Sequence, residues 1–360
     1  MTEENNEIIE KNDNSIEEAC KETEEACKET EEACKEAEEA CKETEKTNAK
    51  KRKKILIIAL AVALVVALGL GILAMDKYFK DISEIEFQTN IPMGFGKEAT
   101  VILLAGQSNA AGCSHDEYLK ANVSAEKYAE YEKGYDNVYI NYYASATNES
   151  HGFVKCAARQ GEFGTCFGPE LGLAEKLNEM HPDKTFFIIK YAWGGTNLYE
   201  QWLSPSSGKE GPLYSSFVEY VNTSIKYLKI KGYNVKIEGM CWMQGEADSM
   251  EDGSTLSYEQ NLSNFIGDIR AAFAEYAADD GIAFVDAYIA ATIFWKNYIQ
   301  LNQAKQAVAD SSPMNVVIDT IAEGLTVTGE PADQPDIAHY DSLSEIKLGH
   351  LFAEEISKFL

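Results

Sequence analysis

The hydrophobic and polar positions divide the chain into three stretches with different physics. Residues 1–49 are polar and repeat every seven residues: Glu-Glu-Ala-Cys-Lys-Glu-Thr stands at 17–23 and 24–30, ends in Ala37 at 31–37, and returns at 38–44. Each repeat places a Glu four residues before a Lys, as in Glu17 with Lys21 and Glu38 with Lys42. That order supports a solvated helix by roughly 0.2–0.5 kcal/mol per pair. The only apolar columns are Ala19/Ala26/Ala33/Ala40 and Cys20/Cys27/Cys34/Cys41, too thin a stripe for a firm coiled-coil seam. A helical or disordered spacer with weak self-association is expected. Neighbouring repeat cysteines lie about 10.5 Å apart along a helix, too far to share one ion on a single chain.

Five cations, Lys50-Lys51-Arg52-Lys53-Lys54, precede an uncharged, nearly all apolar run at 55–74. Twenty helical residues span about 30 Å, the thickness of a hydrocarbon core. The cations before it keep the N-terminus in the cytoplasm. The leader is far too long for the n-region of a cleaved signal peptide. The expected plan is therefore an acidic cytoplasmic tail over 1–54, a transmembrane signal anchor over 55–75, a linker over 76–99 and a globular domain over 100–360. The protein is expected in the cell membrane, single-pass, with the globular domain extracellular.

Beyond residue 88 the pattern becomes globular. Apolar, β-rich runs at 100–106, 186–193, 236–243, 281–287 and 315–320 alternate with helix-period stretches at 169–181, 213–231, 258–277 and 300–311, and a last helix is expected over 345–360. Continuously apolar strands alternating with helices predict an α/β fold: a three-layer α/β/α sandwich around a central parallel sheet. Charge then narrows the partners. The net charge is −27; residues 1–54 hold 11 basic and 18 acidic side chains, which leaves −20 for the rest. Such a surface repels phosphate backbones, so nucleic acid is excluded and a neutral or weakly charged substrate fits.

In an open parallel sheet, ligands bind beyond the carboxyl ends of the strands, and four polar clusters fall at such ends or beside a helix start. Gly106-Gln107-Ser108-Asn109 follows the first strand, where a serine hydroxyl and its own N–H can face one crevice; taken alone, a helix N-cap is the simpler reading. Trp193-Gly194-Gly195-Thr196-Asn197 follows the second run, and paired glycines let a backbone N–H approach a ligand. Trp242-Met243-Gln244-Gly245-Glu246 ends the third; Gln244 can donate to a developing oxyanion, with Glu246 orienting it or touching substrate. Asp336-Ile337-Ala338-His339 lies ahead of Ser342-Leu343-Ser344-Glu345, a capping-box pattern. The three-residue spacing can bring a carboxylate to the imidazole, with Asp333 and Asp341 as alternative acids.

These motifs, with Phe167-Gly168-Pro169-Glu170-Leu171 and Asn302-Gln303-Ala304-Lys305-Gln306, resemble the sialate O-acetylesterase and acetylxylan-esterase-like branch of the SGNH hydrolases over roughly 100–360. The resemblance implies a flavodoxin-like three-layer sandwich, a Ser108–His339–Asp336 triad, and an oxyanion hole from the Ser108 N–H, the Gly195 N–H and the Gln244 side chain. It implies no metal or organic cofactor, and an acetylated glycan as substrate. One departure is Ala110-Ala111, where the family carries a large apolar residue, which bears on the acyl pocket. Two other readings are an SGNH esterase with another acyl or lipid substrate, and a non-catalytic glycan-binding protein on an esterase scaffold. Outside the cell, Cys156 and Cys166 could close the Gly-rich loop between them as a disulfide.

Overall fold

The apolar run after residue 98 becomes the strand around which everything else is arranged. The structure, a computed structural model, describes residues 91–145 and 147–360. The repeats, the basic stretch and the apolar run at 55–74 lie outside the described residues, as do the tail and anchor assigned to them. Among the described residues, no helix is long and apolar enough to cross a membrane.

Six strands form the parallel part of the sheet: β1 (Glu98–Gly106), β3 (Val138–Ser145), β7 (Phe186–Ala192), β8 (Asn234–Met243), β9 (Ala283–Ala287) and β10 (Asn315–Ile318). Their order is β10-β9-β8-β1-β7-β3, and two short antiparallel strands, β4 (Asn148–Glu149) and β5 (Val154–Lys155), pair with β3. A separate two-stranded ribbon joins β2 (Ser114–His115) to β6 (Cys166–Phe167). Every residue of β7, and all of β1 after Glu98, is buried. Because successive side chains point to opposite faces, the sheet is covered on both.

The cover comes from α4 (Pro169–Met180), α5 (Pro212–Ile230), α6 (Asp252–Ala272), α7 (Tyr298–Asp310) and α8 (Ser342–Ile356), while α1 (Ser108–Ala111), α2 (Asp116–Asn122) and α3 (Ala125–Lys133) occupy the crossover from β1 to β3. The chain runs from β1 past β7 to β3, returns to β7, and then crosses to β8 on the other side of β1. The strand order thus reverses around β1, and a crevice opens there at the carboxyl edge.

Three expectations change. Strand β3 was absent from the predicted runs: Val138, Ile140 and Ala144 are buried, but Tyr and Asn interrupt the apolar pattern. Helix α8 begins at Ser342 rather than near 345, and no capping box forms there. Its N-cap is Asp341, whose carboxylate accepts from the Gly329 and Glu330 amides instead. Cys156 and Cys166 are free thiols. Cys156 donates to the Glu170 carbonyl at 3.3 Å, while Cys166 lies on β6 beside His115.

Candidate active site

The turn out of β1 is tightly built. Gly106 has φ +144°, and a Cβ there would stand 1.9 Å from the Met243 carbonyl oxygen. Only glycine allows β1 and β8 to approach this closely before the chain enters α1. Ser108 is the first residue of α1 and is 7% exposed. A first-turn N–H has no partner within its own helix, so the Ser108 amide is available as well as the hydroxyl. Ala110 and Ala111 are fully buried in the main core. They bear on how α1 packs, not on a pocket wall.

His339 and Asp336 share the loop between β10 and α8. The imidazole Nδ1 meets Asp336 Oδ2 at 2.6 Å, and the Ala338 amide donates to Asp336 Oδ1 at 3.0 Å. Partial burial works to raise the Asp336 carboxyl, but its hydrogen bonds to His339 and Ala338 hold it below the usual range. Asp341 is engaged with the Gly329 and Glu330 amides and leaves the imidazole to Asp336.

Asn109 ties this loop to the serine turn. Its Nδ2 donates to Glu246 Oε1 at 2.7 Å and to the Ala338 carbonyl at 3.4 Å, and its Oδ1 accepts from the Tyr340 amide at 3.1 Å. The residue after Ser108 therefore grips the peptides on both sides of His339. Ser114 adds a second tie, its hydroxyl donating to the Tyr340 carbonyl at 2.6 Å.

The glycine pair follows β7. Gly195 has φ +69°, and a Cβ built on it would meet nothing within 4 Å. Its N–H, like that of Gly194, finds no acceptor among the described residues. Two candidate side chains at the end of β8 are buried. Gln244 is fully buried, and its Nε2 faces three acceptors: Asp248 Oδ2 at 2.6 Å, the Thr196 carbonyl at 3.0 Å and Gln107 Oε1 at 3.3 Å. Through the Thr196 carbonyl, Gln244 is tied to the glycine loop. Glu246 is also fully buried, and its Oε1 accepts from Asn109. Burial raises its carboxyl, and the Asn109 hydrogen bond only partly offsets this.

Sequence reasoning missed much of the supporting network. Asp248 accepts from the Leu198 and Tyr199 amides at 2.8 and 3.1 Å, and burial pushes its carboxyl up to about 6 despite them. Gln107 Oε1 accepts from the Gly245 and Ala247 amides. Lys190, buried on β7, binds Glu170 Oε2 at 2.7 Å, the Ala111 carbonyl at 2.8 Å and the Gln160 carbonyl at 3.0 Å. A lysine within an apolar run and a polar residue beside each glycine were the available signals. The family-like motif at 302–306 is structural too: Asn302 exchanges two hydrogen bonds with the Ile289 backbone, and Lys305 pairs with Asp286 at 2.6 Å.

His339 and Asp336 line a crevice of about 250 Å³ with Cys113, His115, Tyr118 and Glu330. A free histidine-carboxylate pair, a serine at a helix start and an unpartnered glycine amide at one sheet edge are the parts that acyl transfer uses.

A model of the carbohydrate esterases described as sialic acid-specific acetylesterases matches residues 98–358. No curated protein matches the chain. Among solved structures, NanS superposes with a TM-score of 0.54 at 18% identity, covering 75% of this chain and 99% of that one. An Arabidopsis thaliana protein gives 0.53 at 18%, covering 73% and 100%. A Xanthomonas citri carbohydrate acetylesterase gives 0.46 at 16%, covering 72% and 56%. The two higher scores show a common fold, a mixed α/β core with a mostly parallel sheet. The match over 98–358 reaches well beyond half of the 360 residues, and so the chain belongs to the sialic acid-specific acetylesterase family of carbohydrate esterases and is a carboxylic ester hydrolase.

Proposed function

We propose that this chain removes O-acetyl groups from carbohydrate by a Ser108–His339–Asp336 mechanism on an SGNH-type three-layer domain. In this reading the domain is carried outside the cell by the anchor at 55–75. The observation that carries the mechanism is the 2.6 Å His339–Asp336 contact on a loop gripped by the neighbour of Ser108. The anchor rests on the 55–74 apolar run and the cations before it.

Asp336 accepts a hydrogen bond from the Nδ1–H of His339, which keeps the proton on Nδ1 and leaves the Nε2 lone pair free to act as base. His339 takes the Ser108 proton, and the serine oxygen attacks the acetyl carbonyl. The resulting oxyanion is received by the Ser108 and Gly195 amides. Each such donor contributes about 3–4 kcal/mol to the barrier reduction. His339 then protonates the departing sugar oxygen, leaving an acetyl-enzyme. Water, deprotonated by the same imidazole, attacks this ester; acetate leaves and Ser108 regains its proton. The test is acetate release from 4-nitrophenyl acetate and acetylated xylan by the full chain beside Ser108→Ala. Turnover is expected to fall at least ~10⁴-fold in the variant. A folded parent that hydrolyses neither ester would sink the reading.

A further inference from the structure

We infer that Glu162 is a specificity-determining residue: its free carboxylate oxygen accepts a hydroxyl standing next to the acetylated oxygen, and without that hydroxyl its charge slows the reaction. The inference rests on the proposed Ser108–His339–Asp336 mechanism and adds to it a residue that touches substrate.

Glu162 lies on the loop between β5 and β6, and its backbone is fixed from two sides. Its amide donates at 2.8 Å to the carbonyl of Gly112, the residue that follows α1 and its Ser108. Its carbonyl accepts at 2.7 Å from the hydroxyl of Ser145, the last residue of β3. Gly161 packs so closely here that a Cβ on it would stand 2.4 Å from the same Gly112 carbonyl oxygen. The side chain is held as well. Oε2 accepts from Cys113 Sγ at 2.8 Å, while no donor among the described residues reaches Oε1. Glu162 is partly exposed, and Oε1 is the oxygen left open to a ligand.

The carboxylate stands against the glycine loop. A Cβ on Gly194 would lie 2.9 Å from Oε1 and 3.0 Å from Oε2. Gly194 has no positive φ, so the nearness of the carboxylate, rather than backbone conformation, calls for glycine there. The Gly195 amide assigned to the oxyanion belongs to the very next residue. The cations of the flanking segments are engaged elsewhere: Arg159 binds Asp116 and Glu132, and Lys190 binds Glu170. A carboxylate without a counter-ion beside an oxyanion-binding amide opposes the negative charge that develops in the transition state. A substrate hydroxyl donating to Oε1 draws on that charge and holds the ester in place by a charge-assisted hydrogen bond. A group placed to receive a hydroxyl also discriminates against the analogue that lacks one, because its own hydrogen bond is then unmade. Partly acetylated sugars offer a free hydroxyl on the carbon next to the ester; simple alkyl acetates do not.

The experiment measures acetate release from 2-hydroxyethyl acetate, propyl acetate and 4-nitrophenyl acetate by the full chain, by Glu162→Gln and by Glu162→Asp. The first two esters differ only by a hydroxyl in place of a methyl group. In the parent, kcat/KM should favour 2-hydroxyethyl acetate over propyl acetate. Glu162→Gln should cut that ratio about tenfold, the order of loss expected for a charge-assisted hydrogen bond. Its kcat/KM on 4-nitrophenyl acetate should rise several-fold, because the opposing charge is gone. Glu162→Asp keeps the charge but withdraws it by one methylene, and should lose the preference without the gain in rate. A parent that hydrolyses 4-nitrophenyl acetate yet shows no preference for the hydroxylated ester would overturn the inference and leave the esterase intact. So would a ratio unchanged in the variants, or a Glu162→Gln enzyme with no gain on 4-nitrophenyl acetate. No release from 4-nitrophenyl acetate by the folded parent would overturn both.

Discussion

At the residue scale, the site depends on groups that stand behind the ones proposed to react. Asn109 is the clearest example, since it fixes the peptides flanking His339 while Glu246 fixes Asn109. Asn109→Ala should therefore lower kcat about 100-fold, the order expected from a displacement near 1 Å, with KM little altered. Steady-state kinetics on 4-nitrophenyl acetate, with circular dichroism to verify folding, would check this; unchanged kcat would remove the clamp from the account. Asp336→Asn keeps the contact in shape but presents the wrong hydrogen-bonding group to Nδ1. A loss of about 10⁴-fold in kcat is expected. The contact between Asp336 and His339 was legible in their three-residue spacing, whereas Ser108 taken alone reads as a helix N-cap and stood out only through the resemblance of the motifs. The partners of Gln244 were not legible: a strand-end glutamine can face outward or inward, and Asp248, Thr196 and Gln107 are brought to it by folding.

At the scale of elements, hydrophobic periodicity located β1, β7, β8, β9 and β10 because these strands are apolar on both faces. It passed over β3, whose single parallel neighbour is β7 and whose Asn141 pairs with Ser224 on α5. It also hid the buried Lys190–Glu170 pair, which links β7 to the start of α4 and, through Ala111, to the end of α1. Lys190→Met would leave the enclosed Glu170 carboxyl without its partner, and should cost about 3–5 kcal/mol of stability. Lys190→Met with Glu170→Met should recover much of that loss. Chemical denaturation of the two variants separates the outcomes, and equal stability of the single variant and its parent would contradict the assignment. Near the pair, α4 and α8 cross closely: a Cβ on Gly172 would lie 2.1 Å from the Ile346 carbonyl, and one on Gly349 lies 2.2 Å from that of Pro169.

For the whole molecule, buried carboxylates set an unusual dependence on pH. Burial pushes Asp248 and Asp286 up to about 6, in the latter case against the pull of Lys305. Burial likewise raises Glu246 and Glu345. Between about pH 4 and 6 the folded chain thus binds protons that the unfolded chain releases, and stability from these groups grows as pH falls. Glu175 has the opposite sign. Burial opposes it, yet hydrogen bonds from His350, Tyr131 and Lys127 hold it at about 2. Its contribution is present above the ordinary carboxylate value and is lost as pH falls toward about 2. Calorimetry should therefore give a higher Tm near pH 5.5 than near pH 7.5, followed by a decline below about pH 4. A Tm that climbs steadily from about pH 5 to 8 would contradict this.

On the proposed mechanism, the wide separation of Ser108 and His339 along the chain has a consequence during synthesis. Ser108 lies just after the first strand of the sheet, and its base arrives 231 positions later, on a loop held from behind by α8. A nascent chain can assemble most of the sheet while its serine stays inert. Competence comes only when the last helix leaves the ribosome and closes on α4, so truncation at a late codon should yield a domain with most of its strands and no reactivity toward an active-serine phosphonate probe.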